Sequence, residues 1–265
     1  MWVNCKKWWV VGIALGCCVS ALSVQAESST TATNPCPKQI RLPYNSNWLP
    51  YLEITDETVT GTDIELIRKV IKLLGSELEL ISLPESRALN DLQSGKVDLL
   101  FGASFTAERG QFAWFSQPYR REVNVVIVHP QVLVRFPELT DKAAFLELAR
   151  RKLIGTFNPK GFYGSDFEQL KQHEAMLHRS VAIFDAEQRI ALVLSQRADY
   201  TLADQASVQY RFQMQPIYQQ LVVLPFELSR SDIHLMLSKK TVSEACLKQI
   251  NQNLIKMGRS LKMGS

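Results

Sequence analysis

The sequence lacks the short motifs with which many enzymes hold nucleotides or present a nucleophile. It contains no GxxxxGK[ST] phosphate loop, no GxGxxG dinucleotide turn and no GxSxG nucleophile turn. It has only four histidines, and none of them stands at metal-ligand spacing. Its 30 basic and 26 acidic residues are too balanced to indicate nucleic-acid binding. The sequence therefore predicts no cofactor, no metal, no catalytic residue and no nucleic-acid partner.

Acidic residues are also absent from the first 26 positions. Lys6 and Lys7 precede an apolar run from Trp8 to Leu22, and Val24-Gln25-Ala26 then forms a small-x-small site. This layout is typical of a cleaved secretory signal peptide over residues 1–26. A membrane anchor is the alternative, but the run falls short of the roughly 20 residues that span a bilayer. We therefore expect export, with a bacterial periplasm as the destination.

Cysteine is scarce once this segment is removed. Of the five cysteines, Cys5, Cys17 and Cys18 lie within residues 1–26, which leaves Cys36 and Cys246. An even pair in an oxidising compartment favours a disulfide. A metal site or a reactive thiol is the alternative, although no His or Cys partner stands at ligand spacing. Lipidation of Cys17 is a second alternative, opposed by Leu15 in a position where lipoprotein signals carry a small residue.

The remaining chain alternates between predicted strands and predicted helices. Residues 27–37 are rich in Ser, Thr and Pro and read as a flexible leader, and Ile40–Tyr44 is the first predicted strand. Helix signals include a predicted capping box at Ser165 and Glu168 and a final helix capped by Thr241 and Glu244. This alternation predicts an α/β fold with mostly parallel sheets. In such sheets, ligands bind beyond the carboxyl ends of the strands.

Three segments together resemble the periplasmic solute-binding proteins of polar amino-acid ABC importers. The first pairs Trp48-Leu49-Pro50-Tyr51 with Gly61-Thr62-Asp63-Ile64-Glu65-Leu66. The second runs from Ala88 through Gly95-Lys96-Val97-Asp98 to Ser104-Phe105-Thr106-Ala107-Glu108-Arg109, and on to Phe115-Ser116-Gln117-Pro118-Tyr119. The third is Arg197-Ala198-Asp199-Tyr200-Thr201-Leu202-Ala203-Asp204. The resemblance covers roughly residues 38–258.

This resemblance implies a two-lobed clamshell of the type II periplasmic binding protein fold, with two crossing hinge strands. Lobe 1 would comprise residues 36–122 plus 227–265, and lobe 2 would comprise residues 123–226. A ligand would bind in the cleft between the lobes, and hinge closure would enclose it. A Cys36–Cys246 disulfide would then lie entirely within lobe 1 and would leave closure free.

The resemblance also implies a site for a free amino acid. Arg109 would bind the ligand carboxylate through two parallel hydrogen bonds, with Ser104 and Thr106 beside it. Asp204 would bind the ammonium group. Each assignment has a simpler alternative: Arg109 as a surface arginine, Ser104 and Thr106 as turn residues, and Asp204 as a helix N-cap.

Four further residues follow from the same comparison. Trp48 matches a stacking aromatic of the family and could cover an apolar stem or a cation, or could merely pack its own loop. Glu85 stands where many relatives carry a second aromatic, and this departure favours a polar or cationic ligand side chain. Gly161 and Phe162 lie in a turn that is longer and more aromatic than in relatives, so the ligand contact carries over to them only in part.

The function implied by these residues is capture of an amino acid, or a similar small carboxylate, for ABC-type import by a membrane permease. The protein would act as a monomer and not as an enzyme. A sensory module that reports ligand to a membrane receptor is one alternative. A cyclohexadienyl-dehydratase-like enzyme is another, for which Glu85 is the candidate acid.

We expect the exported protein to begin at Glu27, because the small-x-small site ends at Ala26. N-terminal sequencing of the exported protein measures this directly. Retention of residues 1–26, or a lipid on Cys17, would contradict the expectation.

Overall fold

A computed structural model describes residues 34–258 of the 265-residue chain. Its strands are β1 (Gln39–Tyr44), β2 (Glu53–Ile54), β3 (Val59–Thr60), β4 (Glu77–Ser82), β5 (Leu99–Ser104), β6 (Ala113–Phe115), β7 (Arg120–Val128), β8 (Gly155–Phe157), β9 (Ser180–Ala182), β10 (Tyr200–Asp204), β11 (Val222–Val223) and β12 (Ser229–Ser238). Its helices are α1 (Thr62–Leu73), α2 (Glu85–Ser94), α3 (Ala107–Phe112), α4 (Pro130–Arg135), α5 (Lys142–Arg151), α6 (Ser165–Leu170), α7 (Glu174–Leu177), α8 (Ala186–Leu194), α9 (Gln205–Met214) and α10 (Glu244–Lys256), with a 3-10 turn at Pro216–Gln220.

The predicted signal peptide of residues 1–26, including Cys17, lies outside the described residues, as does most of the predicted leader. Within residues 34–258, no helix has both the length and the apolar character that crossing a membrane requires.

The apolar stripe of α1 illustrates how the sequence directs local structure. Ile64, Ile67, Val70 and Ile71 follow helical spacing, and none of them is more than 1% exposed. Gly75 follows the helix with a φ of +70°, a conformation that glycine adopts without steric cost. The apolar stripe packs α1 against the core, and Gly75 ends the helix, as the sequence predicts.

The starts of two helices differ from the prediction. Gly164 precedes α6 without a side-chain cap, and Ser165 is the first helical residue. A Cβ atom at Gly164 would lie 2.6 Å from the Cβ atom of Ser229, so close approach to β12 sets this start. At α10, Ser243 is the N-cap in place of Thr241, and its hydroxyl accepts from the Cys246 N–H at 3.1 Å. Ser243 directly precedes α10, so its hydroxyl caps the helix in place of the Thr241 hydroxyl.

The main sheet has the strand order β5-β12-β7-β10-β8-β9, with β6 also paired to β12 and β11 to β7. In this sheet β8 pairs in parallel with β9 and with β10, and the other described pairings are antiparallel. The prediction of mostly parallel sheets is therefore wrong. Strands β6 and β7 follow each other closely along one side of β12, without the crossover helix that a parallel neighbour needs.

The apolar cores divide along the chain. The first core cluster packs β1, α1, β12 and α10 together and draws its buried residues from 36–119 and 233–254. The second and third clusters cover opposite faces of β7 and draw theirs from 126–228 and 125–221. Such a division accords with two lobes joined by β7 and β12. The lobe boundaries at 122/123 and 226/227 stay a prediction.

Cys36 and Cys246 form the predicted disulfide, with Cα atoms 4.8 Å apart. Both residues are buried in the first core cluster. The bond joins the segment before β1 to α10 across a sequence separation of 210 residues. It therefore fastens the C-terminal helix to the strand that begins the fold.

Replacement of both cysteines with alanine should lower the free energy of unfolding by up to about 5 kcal/mol, because a long loop is no longer closed in the unfolded chain. Urea denaturation of the parent and of the Cys36→Ala, Cys246→Ala double variant measures this difference. The parent treated with reductant should match the double variant. Equal stability of the parent and the double variant would contradict the expectation.

Candidate functional site

A cavity of about 270 Å³ opens at the carboxyl ends of β5 and β10. Residues 43–48, 100–104, 160–163 and 201–204 form much of its wall. This volume lies at the small end of the range for ligand pockets, and it suits a ligand of amino-acid size.

Seven of the eight predicted site residues line this cavity. They are Trp48, Glu85, Ser104, Arg109, Gly161, Phe162 and Asp204. Thr106 is not part of the wall. Its hydroxyl caps α3 and accepts from the backbone N–H of Arg109 at 3.2 Å.

Arg109 is held at the cavity wall by two backbone carbonyls. Its Nη1 donates to the Ser104 oxygen at 3.1 Å, and its Nη2 donates to the Lys160 oxygen at 2.7 Å. Burial lowers the pKa of Arg109, but an arginine remains protonated at any physiological pH. No carboxylate of the described residues forms an ion pair with it. Its orientation is fixed while its charge stays available for an anion.

Asp204 is held in a corresponding way on the other wall. It ends β10 and is the N-cap of α9, where its Oδ2 accepts from the Ser207 N–H at 2.9 Å. The same oxygen accepts from the Tyr51 hydroxyl at 2.7 Å. Burial raises the pKa of Tyr51, so this hydroxyl stays protonated and donates. Within the described chain, Asp204 has no cationic partner, although it is only 6% exposed. The predicted N-cap role is therefore confirmed, and the carboxylate can also face a ligand.

A buried ionic network supports this wall of the cavity. The Arg120 guanidinium lies 3.8 Å from the centre of the Tyr51 ring. Its Nε is 3.1 Å from Asp63 Oδ2, and its Nη1 is 3.0 Å from Glu122 Oε2. The Tyr119 hydroxyl donates to the same Asp63 oxygen at 2.6 Å. One cation thus orders two carboxylates and the tyrosine that holds Asp204.

Glu122 is the carboxylate of this network that also lines the cavity wall. Burial raises the pKa of Glu122 to about 7, and the negative charge of Asp204 contributes to the rise, whereas Arg120 opposes it. Glu122 therefore changes charge near neutral pH, next to the predicted ammonium site.

Trp48 lines the cavity beside Phe101, with ring centres 5.9 Å apart. A Cβ atom at Gly102 would lie 2.3 Å from the Trp48 ring, and Gly102 has a φ of +67°. Only glycine leaves room for the indole here. The ring edge of Trp48 also contacts Tyr51, with centres 5.1 Å apart.

Glu85 meets the turn that follows β8. The Asn158 Nδ2 donates to Glu85 Oε1 at 2.5 Å. Burial raises the pKa of Glu85, and this hydrogen bond opposes the rise. Gly161 and Phe162 continue the same turn along the cavity wall. The structure thus brings Glu85 and this turn together, although they are far apart in the sequence.

Sequence reasoning missed several polar residues of the wall, among them Glu122, Arg189, Thr201 and Arg211. The signals for two of them were present in the sequence. Arg120 and Glu122 stand two residues apart at the start of a strand, which turns both charges toward the same side. Arg211 follows Asp204 by seven residues, so both lie on one face of α9. Among the described residues, no group of three potential metal ligands occurs.

Glu122→Gln should reduce the pH dependence of stability. The folded-state pKa of about 7 lies above the unfolded value near 4.3, so the folded protein holds this proton more tightly. The protonated Glu122 therefore raises the free energy of unfolding at low pH. This contribution is lost as pH rises toward 7, by up to about 1.4 kcal/mol per pH unit. Urea denaturation of the parent and the variant at pH 5 and pH 8 measures the change. The exposed Glu57→Gln variant is the control, and identical pH dependence of the parent and Glu122→Gln would contradict the prediction.

Comparison with known proteins relates this chain to proteins that bind solutes outside the cell. Residues 40–263 match the family of bacterial extracellular solute-binding proteins, family 3. The arginine-binding extracellular protein ArtP of Bacillus subtilis (strain 168) is 24% identical over 123 residues, which are 46% of this chain. The match spans only about half of that relative, 48% of its length.

Solved structures share the fold. One is the amino acid ABC transporter substrate-binding protein AbpA from Streptococcus pneumoniae Canada MDR_19A bound to L-arginine (TM-score 0.68, 21% identity, 84% of this chain and 90% of that one). Another is the ancestral amino acid-binding protein AncCDT-1, a precursor of cyclohexadienyl dehydratase (TM-score 0.67, 19% identity, 83% and 90%). Because the family match covers most of the sequence, the chain belongs to the bacterial extracellular solute-binding proteins, family 3.

Proposed function

We propose that this protein captures a free amino acid between Arg109 and Asp204 and delivers it to a membrane permease for ABC-type import. The carrying observation is that a half-buried cation, Arg109, and a buried anion, Asp204, line one small cavity, and neither forms an ion pair among the described residues. A zwitterion needs such partners, because both of its charges lose water on burial.

The neutral groups around each charge favour ligand binding over a structural role. Arg109 contacts only carbonyl oxygens, and Asp204 contacts one hydroxyl and one backbone N–H. These contacts fix the position of each charge without neutralising it. The ligand's carboxylate and ammonium groups would then form the charge-assisted hydrogen bonds, which are the stronger kind.

We also propose that the cleft closes over the ligand. Arg109 bonds to Lys160, Glu85 to Asn158 and Tyr51 to Asp204, and each pair joins a residue of predicted lobe 1 to one of predicted lobe 2. Two of these pairs include a proposed ligand pole. Ligand binding would therefore add contacts where the lobes already meet, which favours the closed form.

The names of two relatives support an amino acid as the ligand class, since one is called arginine-binding and the other was solved with L-arginine. Export rests on the predicted signal peptide. An enzymatic role is not proposed: Glu85, the candidate acid, is engaged by Asn158. Turnover of prephenate or arogenate would contradict this, and ligand-dependent capture of a kinase in place of a permease would favour the sensor alternative.

Arg109→Ala and Asp204→Asn should each fold normally and lose about 30-fold to several-thousand-fold in affinity, because a buried ligand charge is left without its partner. A thermal-shift screen of the mature protein against the common amino acids first identifies a ligand. Calorimetry with that ligand then measures binding to the parent and both variants.

Two matched variants serve as controls for this experiment. Asp141→Asn alters the N-cap of α5, and Arg121→Ala alters an exposed ion pair with Asp232. Both should bind like the parent. If Arg109→Ala and Asp204→Asn also bind within threefold of the parent, the proposed amino-acid site is wrong.

A further inference from the structure

One part of the cavity wall, which we call the extension, comes from α8, β10 and α9. Arg189 of α8, Thr201 of β10 and Arg211 of α9 all line this extension. Thr201 lies opposite Ile127 in the β10–β7 pairing, and Ile127 belongs to the third core cluster, which α8 and α9 cover. Directly opposed residues of an antiparallel pair share a face, so all three side chains lie on the same side of the sheet.

Each of these three side chains carries a buried donor without a partner. The atoms are Arg189 Nε, Thr201 Oγ1 and Arg211 Nη2, and the residues are 8%, 0% and 2% exposed. The Tyr218 hydroxyl also interacts with the Arg211 guanidinium. Leaving a buried donor unsatisfied is costly, so native structures rarely do so without a reason. Three such donors around one cavity indicate a place for a hydrogen-bond acceptor.

Arg189 and Arg211 bring two guanidinium groups to this extension, and Glu187 forms an ion pair with one of them. Arg189 Nη1 donates to the carbonyls of Ile183 and Phe184, which are neutral. Arg211 forms an ion pair with Glu187, whose second oxygen accepts from a tyrosine hydroxyl. Glu85 and Asp185 interact with the two guanidinium groups electrostatically, without forming ion pairs. Two guanidinium groups thus share one directly paired carboxylate.

The extension begins next to the proposed ammonium site. Asp204 is the N-cap of α9, and Arg211 lies two turns further along the same helix. The side chains of Asp204 and Arg211 line the same cavity. A ligand held by its α-ammonium group could therefore reach this region with its side chain.

We propose that Arg189, Thr201 and Arg211 form a subsite for a side-chain carboxylate, so that the ligand is an acidic amino acid. This proposal rests on the proposed amino-acid function and narrows it. It differs from the arginine of the named relatives and from the cationic side chain that Glu85 alone would favour, because a cationic side chain would meet two guanidinium groups, and such like-charge contacts select against a ligand.

Calorimetry with L-glutamate, L-glutamine, L-norvaline and L-arginine tests the subsite. Norvaline has no side-chain acceptor, so the ratio of the glutamate and norvaline affinities isolates the side chain. We expect glutamate to bind at least about 30-fold more tightly than norvaline, with glutamine between them. Equal glutamate and norvaline affinities, equal glutamate and glutamine affinities, or tightest binding of arginine would each overturn the proposal.

Variants locate the effect in the structure. Thr201→Val keeps the shape and removes only the hydroxyl, and it should weaken glutamate about 5- to 10-fold while norvaline stays within threefold. Arg189→Gln should weaken glutamate at least about 30-fold, again sparing norvaline. Thr156→Val is the matched control, because Thr156 is buried, bonds to the Val181 carbonyl and lies outside the cavity wall.

The outcomes separate this proposal from the one on which it rests. If norvaline and glutamate bind equally and Arg109→Ala abolishes both, the amino-acid site stands and the subsite is wrong. If no amino acid binds the parent, the proposed function fails and the subsite falls with it. A glutamate preference that survives in both Thr201→Val and Arg189→Gln would also overturn the subsite.

Discussion

The binding cleft depends on the contacts that the Arg120 guanidinium makes with two carboxylates and one tyrosine ring. This guanidinium satisfies Asp63 of α1 and Glu122 of β7 at once, and it stacks on the Tyr51 ring. Breaking a buried pair of this kind costs about 3–5 kcal/mol, a large share of the total stability of a typical domain. Since Tyr51 in turn holds Asp204, the same cation that stabilises the interior also positions a cleft carboxylate. Stability and site geometry are therefore coupled through one residue.

Arg109 and Asp204 line the cavity as charged side chains, and neither forms an ion pair within the described residues. Elsewhere in the described chain, buried charges meet opposite charges, as with Arg41 and Asp98 or Arg120 and Asp63. At the cavity, carbonyls, a hydroxyl and a backbone N–H group hold Arg109 and Asp204 instead. A preformed arrangement of this kind reduces the ordering that a ligand must impose, and the ligand then gains more from the charges it meets.

Much of the fold could be predicted from the sequence, because its signals are local. The α1 stripe, the turn at Gly75 and the pairing of Cys36 with Cys246 need only spacing, glycine and cysteine count. Strand direction was less accessible, because nothing local shows that β6 and β7 both run along β12, more than 100 residues later. Long-range pairing decided that point.

At the site, too, some residues could be predicted from the sequence and others could not. Arg109 and Asp204 stand in motifs and could be found from them, and the structure places both at the cavity. Thr106 stands in the same motif, yet its hydroxyl is used as a helix cap. Glu122, Arg189 and Arg211 belong to no motif, and their significance appears only when burial and partners are known. Residues whose role depends on desolvation leave little trace in a sequence.

The first core cluster has a consequence for the order in which the chain can fold. Its members come from both ends of the described sequence, whereas the second and third clusters come from one continuous stretch between them. During synthesis, the continuous part is complete while the first cluster still lacks α10. The cluster residues of 36–119 must therefore wait for those of 233–254, and the two cysteines can meet only after Cys246 has been synthesised. The first core cluster is therefore completed only after α10 has been synthesised, long after most of its members.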